Sequence, residues 1–157
     1  MIFSTTINRI PVAKGRPRFM KRGNFVHTYT PAKTLNEEKI IAANIKQEWT
    51  FEPIDSPIEV SIEFYMPIPK SFTKKVKKEI ELGYNKHSKK PDLDNLAKLV
   101  LDAMNGIVFR DDALITRLNL VKVYSDKPRI FVQIDTGDAN PITKQKKQYN
   151  CICSKNF

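Results

Sequence analysis

The chain has 157 residues, 41% hydrophobic and 28% charged, a mixture that indicates one globular domain with a hydrophobic core. No apolar run approaches the ~20 residues of a membrane-spanning helix, and the N-terminus lacks the features of a signal peptide. The net charge of +10 favours nucleic acid as a partner over an anionic membrane, because neither basic cluster predicts a helix with a broad apolar face.

The C-terminal segment is polar, basic and without periodicity, so we expect a single domain at residues 1–136 and a mobile tail at 137–157. Its two cysteines, Cys151 and Cys153, lie within the last seven residues and cannot staple a fold. Such cysteine usage predicts a reducing, cytoplasmic setting.

The first half of the chain predicts a strand, a basic loop and a helix. Residues 2–10 predict the strand, and residues 11–29 predict a long exposed loop because glycine and proline interrupt them. Apolar residues at helical spacing predict a helix that starts near Thr30 or Thr34 and ends near Trp49.

The second half predicts two strands, two helices and a closing hairpin. Residues 58–66 alternate apolar and polar, which is typical of a half-buried strand. Residues 73–82 predict a short exposed helix, and residues 94–105 a longer amphipathic one. Two β-rich runs within 113–135, separated by Ser-Asp-Lys-Pro, predict a hairpin. The order of elements predicts an α/β or α+β domain, with helices packed against a small mixed sheet.

A run of acids marks residues 89–115, KKPDLDNLAKLVLDAMNGIVFRDDALI. Asp94 is a plausible N-cap because it stands just ahead of the first apolar helical position. Asp92, two residues earlier, is expected to project beside it, next to the positive end of the helix dipole.

Each acid also has an ordinary structural explanation. Asp94 is explained by capping alone, and Asp102 by an ion pair with Lys98 on the solvated helix face. Asp111 and Asp112 are explained by a turn before the next strand.

The combination favours a metal site. Five acids fall within 21 residues of an otherwise basic chain: Asp92, Asp94, Asp102, Asp111 and Asp112. The short link after Gly106 would bring Asp112 toward the helix start if the next strand ran alongside. Converging carboxylates repel one another unless they share a proton or bind a divalent cation. Hard oxygen ligands suit Mg²⁺ or Mn²⁺, and neither histidine stands at a zinc-ligand spacing.

This segment resembles the signature of the RusA family of Holliday-junction resolvases, many of them encoded by phages and prophages. The shared features are the DLDN entry, the lysine one helical turn later, the LDA–NG helix end and the DD pair. The flanking segments PVAKGRPRF, YTPAKT and PIPKSFTKK are similar to phage-type members, so the resemblance covers roughly residues 2–136.

The resemblance implies a metal-dependent endodeoxyribonuclease that works as a homodimer and nicks opposing strands of a four-way DNA junction. Mg²⁺ is the implied cofactor, with Mn²⁺ as a substitute. Asp92, Asp94 and Asp112 match the family's metal-binding catalytic carboxylates, and Lys98 matches its catalytic lysine. Asp111 is the weaker candidate of its pair. A role in DNA recombination and repair, in the cytoplasm of a bacterial host, is implied as well.

Basic side chains on both flanks are expected to hold backbone phosphates, which gives affinity without reading much sequence. The candidates are Lys14, Arg16, Arg18, Lys89 and Lys90. For any single one of them, a solvated basic surface is the competing explanation.

Two other functions stay open. A non-catalytic DNA-binding phage accessory protein would explain the charge, although clustered carboxylates without a metal would repel phosphate. A phosphatase with an Asp nucleophile in a DxD loop normally has a buried apolar strand before that loop, whereas the polar NKHSKKPD precedes this one. Metal dependence distinguishes the nuclease from the binding module, and turnover of phosphate monoesters would identify the phosphatase.

Overall fold

The computed structural model describes residues 2–16, 18–23 and 25–137, without the side chains of Arg18, Arg22 and His27. Apart from Gly137, the predicted tail lies outside the described residues. The elements are β1 (Ile2–Ile7), β2 (Arg18–Arg22), β3 (Phe25–Tyr29), α1 (Ala32–Glu48), β4 (Ile58–Pro67), α2 (Lys74–Glu81), α3 (Leu93–Met104), a 3-10 turn (Asp112–Leu114), β5 (Ile115–Ser125) and β6 (Arg129–Asp135).

Four strands form a mixed sheet in the order β1-β6-β4-β5. β4 runs parallel to β5 and antiparallel to β6, and β1 pairs antiparallel with β6. Helices and strands therefore combine as an α+β domain, and this prediction is confirmed.

The predicted hairpin at the end of the domain is wrong, although both of its strands exist. β5 and β6 pair with opposite edges of β4 rather than with each other, so Phe64 stands between Lys122 and Ile130. The physical reason lies in β4, whose alternate residues are fully buried and whose two edges both accept a partner strand. Residues 126–128 cross the end of β4 instead of closing a local turn.

The core lies between one face of the sheet and the helices α1 and α3. The helical side chains that fill it recur at helical spacing and are buried: Ile41, Ile45, Leu96, Leu99, Val100, Ala103 and Met104. Burying one such aliphatic side chain contributes about 1.5–3 kcal/mol. This packing fixes α3 against the sheet and therefore fixes the positions of the polar residues at its two ends.

Residues 11–29 contain a hairpin where the sequence predicts a long loop. β2 and β3 form a separate two-stranded antiparallel sheet in which Phe19 stands opposite Thr28. Gly23, at the turn, has a φ of +64°, a conformation that costs glycine little. The alternation of a half-buried strand is absent here, because each face of both strands carries polar as well as apolar residues.

The start of α3 also differs from the prediction by two residues. Asp92, not Asp94, is the N-cap, and its side chain makes no capping hydrogen bond. Asp94 therefore lies in the first helical turn. The predicted end is confirmed, with Asn105 at the C-cap and Gly106 at a φ of +73°.

Candidate active site

The loop that leads into α3 is held by a lysine from the sheet. Lys122 of β5 donates hydrogen bonds through Nζ to the carbonyl oxygens of Lys89, at 2.9 Å, and of Pro91, at 2.8 Å. Pro91 immediately precedes Asp92 in the chain, and Lys89 lies three residues before it. This amine therefore restrains the backbone that presents Asp92 at the start of the helix.

No motif points to Lys122, but its position in the alternation of β5 does. It lies between Leu120 and Tyr124 at a period of two, and the side chains of both pack against the core. A lysine at an inward-facing position is uncommon unless its charge is hydrogen-bonded or paired. Its partners, backbone carbonyls of a distant loop, leave no mark in the sequence.

The other side of α3 is anchored by the segment before the β2–β3 hairpin. The backbone N–H of Lys14 donates to the carbonyl oxygen of Asn95 at 2.9 Å, and the side chain of Lys14 forms an ion pair with Asp102. The side chains of Lys14 and Asp102 are about three-quarters buried. Lys14 is thus engaged within the chain, which differs from its predicted role at a DNA phosphate.

The structure divides the five acids into two groups. Asp102 pairs with Lys14, and Asp111 caps the 3-10 turn by accepting a hydrogen bond of 2.8 Å from the N–H of Ala113. Three acids are exposed, and their side chains make no hydrogen bond or ion pair with any residue that the structure describes: Asp92, Asp94 and Asp112. These are the carboxylates free to take an external ligand.

Lys98 stands on α3 four residues after Asp94, and its side chain is exposed. Residues four apart lie on the same helix face, so Lys98 and Asp94 face the same region of solvent. The ion pair between Lys98 and Asp102, which was the ordinary structural alternative, does not form, because Asp102 pairs with Lys14.

Asp112 lies at the far end of α3 from Asp92 and Asp94. The helix has twelve residues and is therefore about 18 Å long. The segment that follows the helix end is bonded to the segment before β4. The N–H of Ile54 donates to the carbonyl of Val108 at 2.8 Å, and the N–H of Arg110 donates to the carbonyl of Ile54 at 3.0 Å. Asp112 comes two residues after Arg110 and therefore lies at this end of the helix.

The expectation that the link would return Asp112 to the helix start is therefore wrong within one chain. β5 does run beside α3, but in the opposite direction, so its first residue lies near the helix end and Lys122 near the helix start. Accordingly, among the residues that the structure describes, no group of three or more His, Cys, Asp or Glu is placed to hold a metal ion.

Two of the remaining DNA-binding candidates lie just before the first residues of α3, a region called the α3 entrance below. Lys89 and Lys90 are exposed in the loop before Asp92, and Arg16 is exposed between Lys14 and the hairpin. Arg18 begins β2, and its side chain lies outside the described residues.

Aromatic residues support the same loop. The ring of His87 lies 4.4 Å from that of Tyr124, and Tyr124 contacts Phe72 edge-on at 5.6 Å between centroids. The Lys89 ammonium lies 4.9 Å from the centre of the Phe72 ring. Burial, and then the nearby charge of Lys122, lowers the pKa of His87 below its ordinary value.

The comparison with protein families settles the relationship of this chain. Residues 9–135 match the family described as Endodeoxyribonuclease RusA. The chain belongs to the RusA family. The resemblance predicted from the DLDN segment is thereby confirmed, and RusA membership makes the protein an endodeoxyribonuclease of a Holliday-junction resolvase family.

A curated relative supports the match without adding an activity. The chain is 37% identical over 131 residues to the uncharacterized protein YqaN of Bacillus subtilis (strain 168). The aligned residues make up 82% of this chain and 92% of the relative. None of the helices in the described part of this RusA-family chain is long and apolar enough to span a membrane.

Proposed function

We propose that the protein resolves four-way DNA junctions by paired symmetric nicks and that it depends on Mg²⁺, with Mn²⁺ as a substitute. Asp92, Asp94 and Asp112 hold the metal, and Lys98 acts beside it. The observation that carries this proposal is the division of the acids. The three carboxylates matching the family's ligands are those left exposed and unpaired among the described residues, whereas Asp102 and Asp111 have partners within the chain.

The residues at the α3 entrance fit a magnesium ion. Mg²⁺ binds through one or two carboxylates and keeps its other positions for water and phosphate oxygens. Asp92 and Asp94 supply two exposed carboxylates, one at the N-cap and one in the first turn of α3. When bound, such an ion would supply Lewis-acid polarisation of the phosphodiester and a more acidic water.

The third carboxylate has to come from a second copy of the chain. Asp112 is separated from Asp92 and Asp94 by the length of α3, so one chain offers only part of the site. In a two-fold dimer, the helix start of one protomer meets the Asp112 end of its partner, and symmetry repeats the arrangement. Two such sites match the two opposing strands that a resolvase cuts.

Lys98 contributes a fixed positive charge on the helix face that also carries Asp94. During hydrolysis of a phosphodiester, negative charge grows on the non-bridging and leaving oxygens. An ammonium group positioned beforehand stabilises that charge without reorganisation. The side chain of Lys98 is exposed and has no partner among the described residues, so it is available to the DNA.

Exposed basic residues beside the entrance would position the substrate. Lys89, Lys90 and Arg16 flank the start of α3 and hold backbone phosphates, and Arg18 is proposed for the same role. Lys14 serves instead to anchor this region through Asp102. The process served is DNA recombination and repair in the cytoplasm of a bacterial host, on behalf of a phage or prophage.

The proposal is tested with a synthetic four-way junction and a linear duplex of the same sequences, each incubated with Mg²⁺ or with EDTA. We expect paired nicks at the junction with Mg²⁺ only, absent from the Asp94→Asn variant. Glu48→Gln, which removes a charge from an exposed position at the end of α1, is the matched control and should cut normally. Binding without cutting under every divalent ion would instead favour a non-catalytic DNA-binding protein.

A further inference from the structure

The β2–β3 hairpin exposes large apolar side chains that the active site does not account for. Phe19 is 74% exposed, Phe25 76%, Val26 64% and Met20 53%. Large apolar side chains that are exposed together on one short element usually mark a binding surface. A two-stranded hairpin is also marginally stable in water, so a bound partner would order it.

The apolar residues occupy both faces of the hairpin. Opposite residues share a face and neighbours alternate, so Phe19 and Val26 lie on one face, while Met20 and Phe25 lie on the other. A flat protein partner would cover only one of these faces. A partner that receives the hairpin in an opening would contact both.

Charge identifies the chemistry of that partner. Residues 16–29 contain four lysines and arginines and no acid. Aromatic side chains among basic ones are the combination that binds unpaired bases, because the rings stack on base faces while the cations hold phosphates. The opening at the centre of a four-way junction offers both.

The hairpin also starts next to the active site. Its entry segment is fixed by the bond from the N–H of Lys14 to the carbonyl of Asn95, in the first turn of α3, and by a bond of 3.1 Å from the N–H of Gly15 to Oγ1 of Thr34. Strands of five residues extend about 17 Å. The hairpin can therefore reach several base pairs from Asp94.

We propose that the β2–β3 hairpin is a wedge that enters the branch point of the junction, where Phe19 and Phe25 stack on bases exposed there. This inference rests on the proposed function and assigns junction selectivity to residues outside the catalytic group. Loss of a base–aromatic stack lowers affinity about five- to a hundredfold. The loss falls on the junction and spares linear duplex, which offers no exposed base faces.

The test compares wild type with the double variant Phe19→Ala/Phe25→Ala, in EDTA to prevent cutting. Affinity for the junction should fall about tenfold or more, and affinity for the matched duplex should change less than about twofold. Phe19→Trp/Phe25→Trp, which keeps the rings, should bind the junction as wild type does. Leu35→Ala, at a residue 43% exposed on α1, is the control for removal of an exposed apolar side chain.

A second readout follows the bases directly. 2-Aminopurine placed at the branch point should brighten when wild type binds, because the base leaves its stack, and should brighten less with the double alanine variant at saturation. An equal loss of affinity for junction and duplex, or an unchanged affinity with loss of the dimer in sedimentation, would overturn the wedge. If wild type cuts junctions with Mg²⁺ and the double variant cuts and binds them equally well, the wedge fails while the proposed function stands.

Discussion

Lys122 and Pro91 are joined across 31 residues of sequence by a hydrogen bond of 2.8 Å from Nζ to the carbonyl oxygen. The bond connects the sheet to the residue just before Asp92. A lysine of β5 thus restrains the carboxylate at the start of α3, although the two lie on different elements.

Replacing Lys122 with methionine should weaken metal binding. Hydrogen bonds from a charged group contribute about 1.5–3 kcal/mol each, and their loss frees the loop that presents Asp92. We expect junction cutting to need about tenfold more Mg²⁺, measured as the concentration giving half-maximal rate. Lys127→Met, at an exposed lysine of the β5–β6 connection, is the control. An unchanged Mg²⁺ dependence of Lys122→Met would show that the loop is held without it.

The ion pair between Lys14 and Asp102 predicts a difference between two neighbouring basic residues. Lys14→Met should lower the free energy of unfolding by about 1 kcal/mol, because it leaves the partly buried Asp102 without its partner. Arg16→Gln should leave stability unchanged and lower DNA affinity, because Arg16 is exposed. Urea unfolding and a salt series of junction binding measure the two effects. Non-additivity of Lys14→Met with Asp102→Asn would confirm the pair, and strict additivity would contradict it.

His87 predicts that stability falls in mild acid. Its pKa in the folded protein is lowered, mainly by burial and then by Lys122, so the unfolded chain binds the proton more readily. The stability it contributes is present above about pH 6.5, the ordinary pKa of histidine, and is lost as the pH falls through the lower folded value. Urea unfolding between pH 5 and 8 should therefore show a smaller acid loss in His87→Gln than in wild type. Parallel pH profiles of the two proteins would contradict this.

Magnesium should stabilise the folded protein through Asp92 and Asp94. A ligand at ten times its dissociation constant adds about 1.4 kcal/mol, which raises the melting temperature of a chain of this size by roughly 3–6 °C. The shift should disappear in Asp94→Asn and persist in Glu48→Gln. A shift of equal size in Asp94→Asn would mean that Mg²⁺ binds elsewhere.

Local patterns predicted the elements that depend on neighbouring residues. The lysine-rich helix α2 begins after Thr73, which accepts a hydrogen bond from the N–H of Val76, and it is followed by Gly83 at a φ of +76°. Both features are encoded within one or two turns. The alternation in β4 was equally direct, because a single strand with one buried face displays its own period.

Long-range relationships could not be read in the same way. The pairing of β5 depends on β4, more than fifty residues earlier, so two consecutive β-rich runs looked like a hairpin. The same strand order sends Asp112 to the far end of α3 rather than back to Asp94. Sequence spacing identified Asp92, Asp94 and Asp112 as acids that could act together. Because of the direction of β5, however, one chain does not bring Asp112 to the other two.

The measurement closest to the central proposal mixes two inactive proteins. Asp94→Asn and Asp112→Asn should each fail to cut a junction with Mg²⁺. If each site combines Asp92 and Asp94 of one protomer with Asp112 of its partner, the mixed dimer contains one intact site and one doubly altered site. Mixing and re-equilibration should therefore restore cutting of a single strand per junction, whereas a mixture of Asp94→Asn with Asp92→Asn should restore none. No recovery in the first mixture, with wild type active and mixed dimers present, would contradict a site shared between two chains.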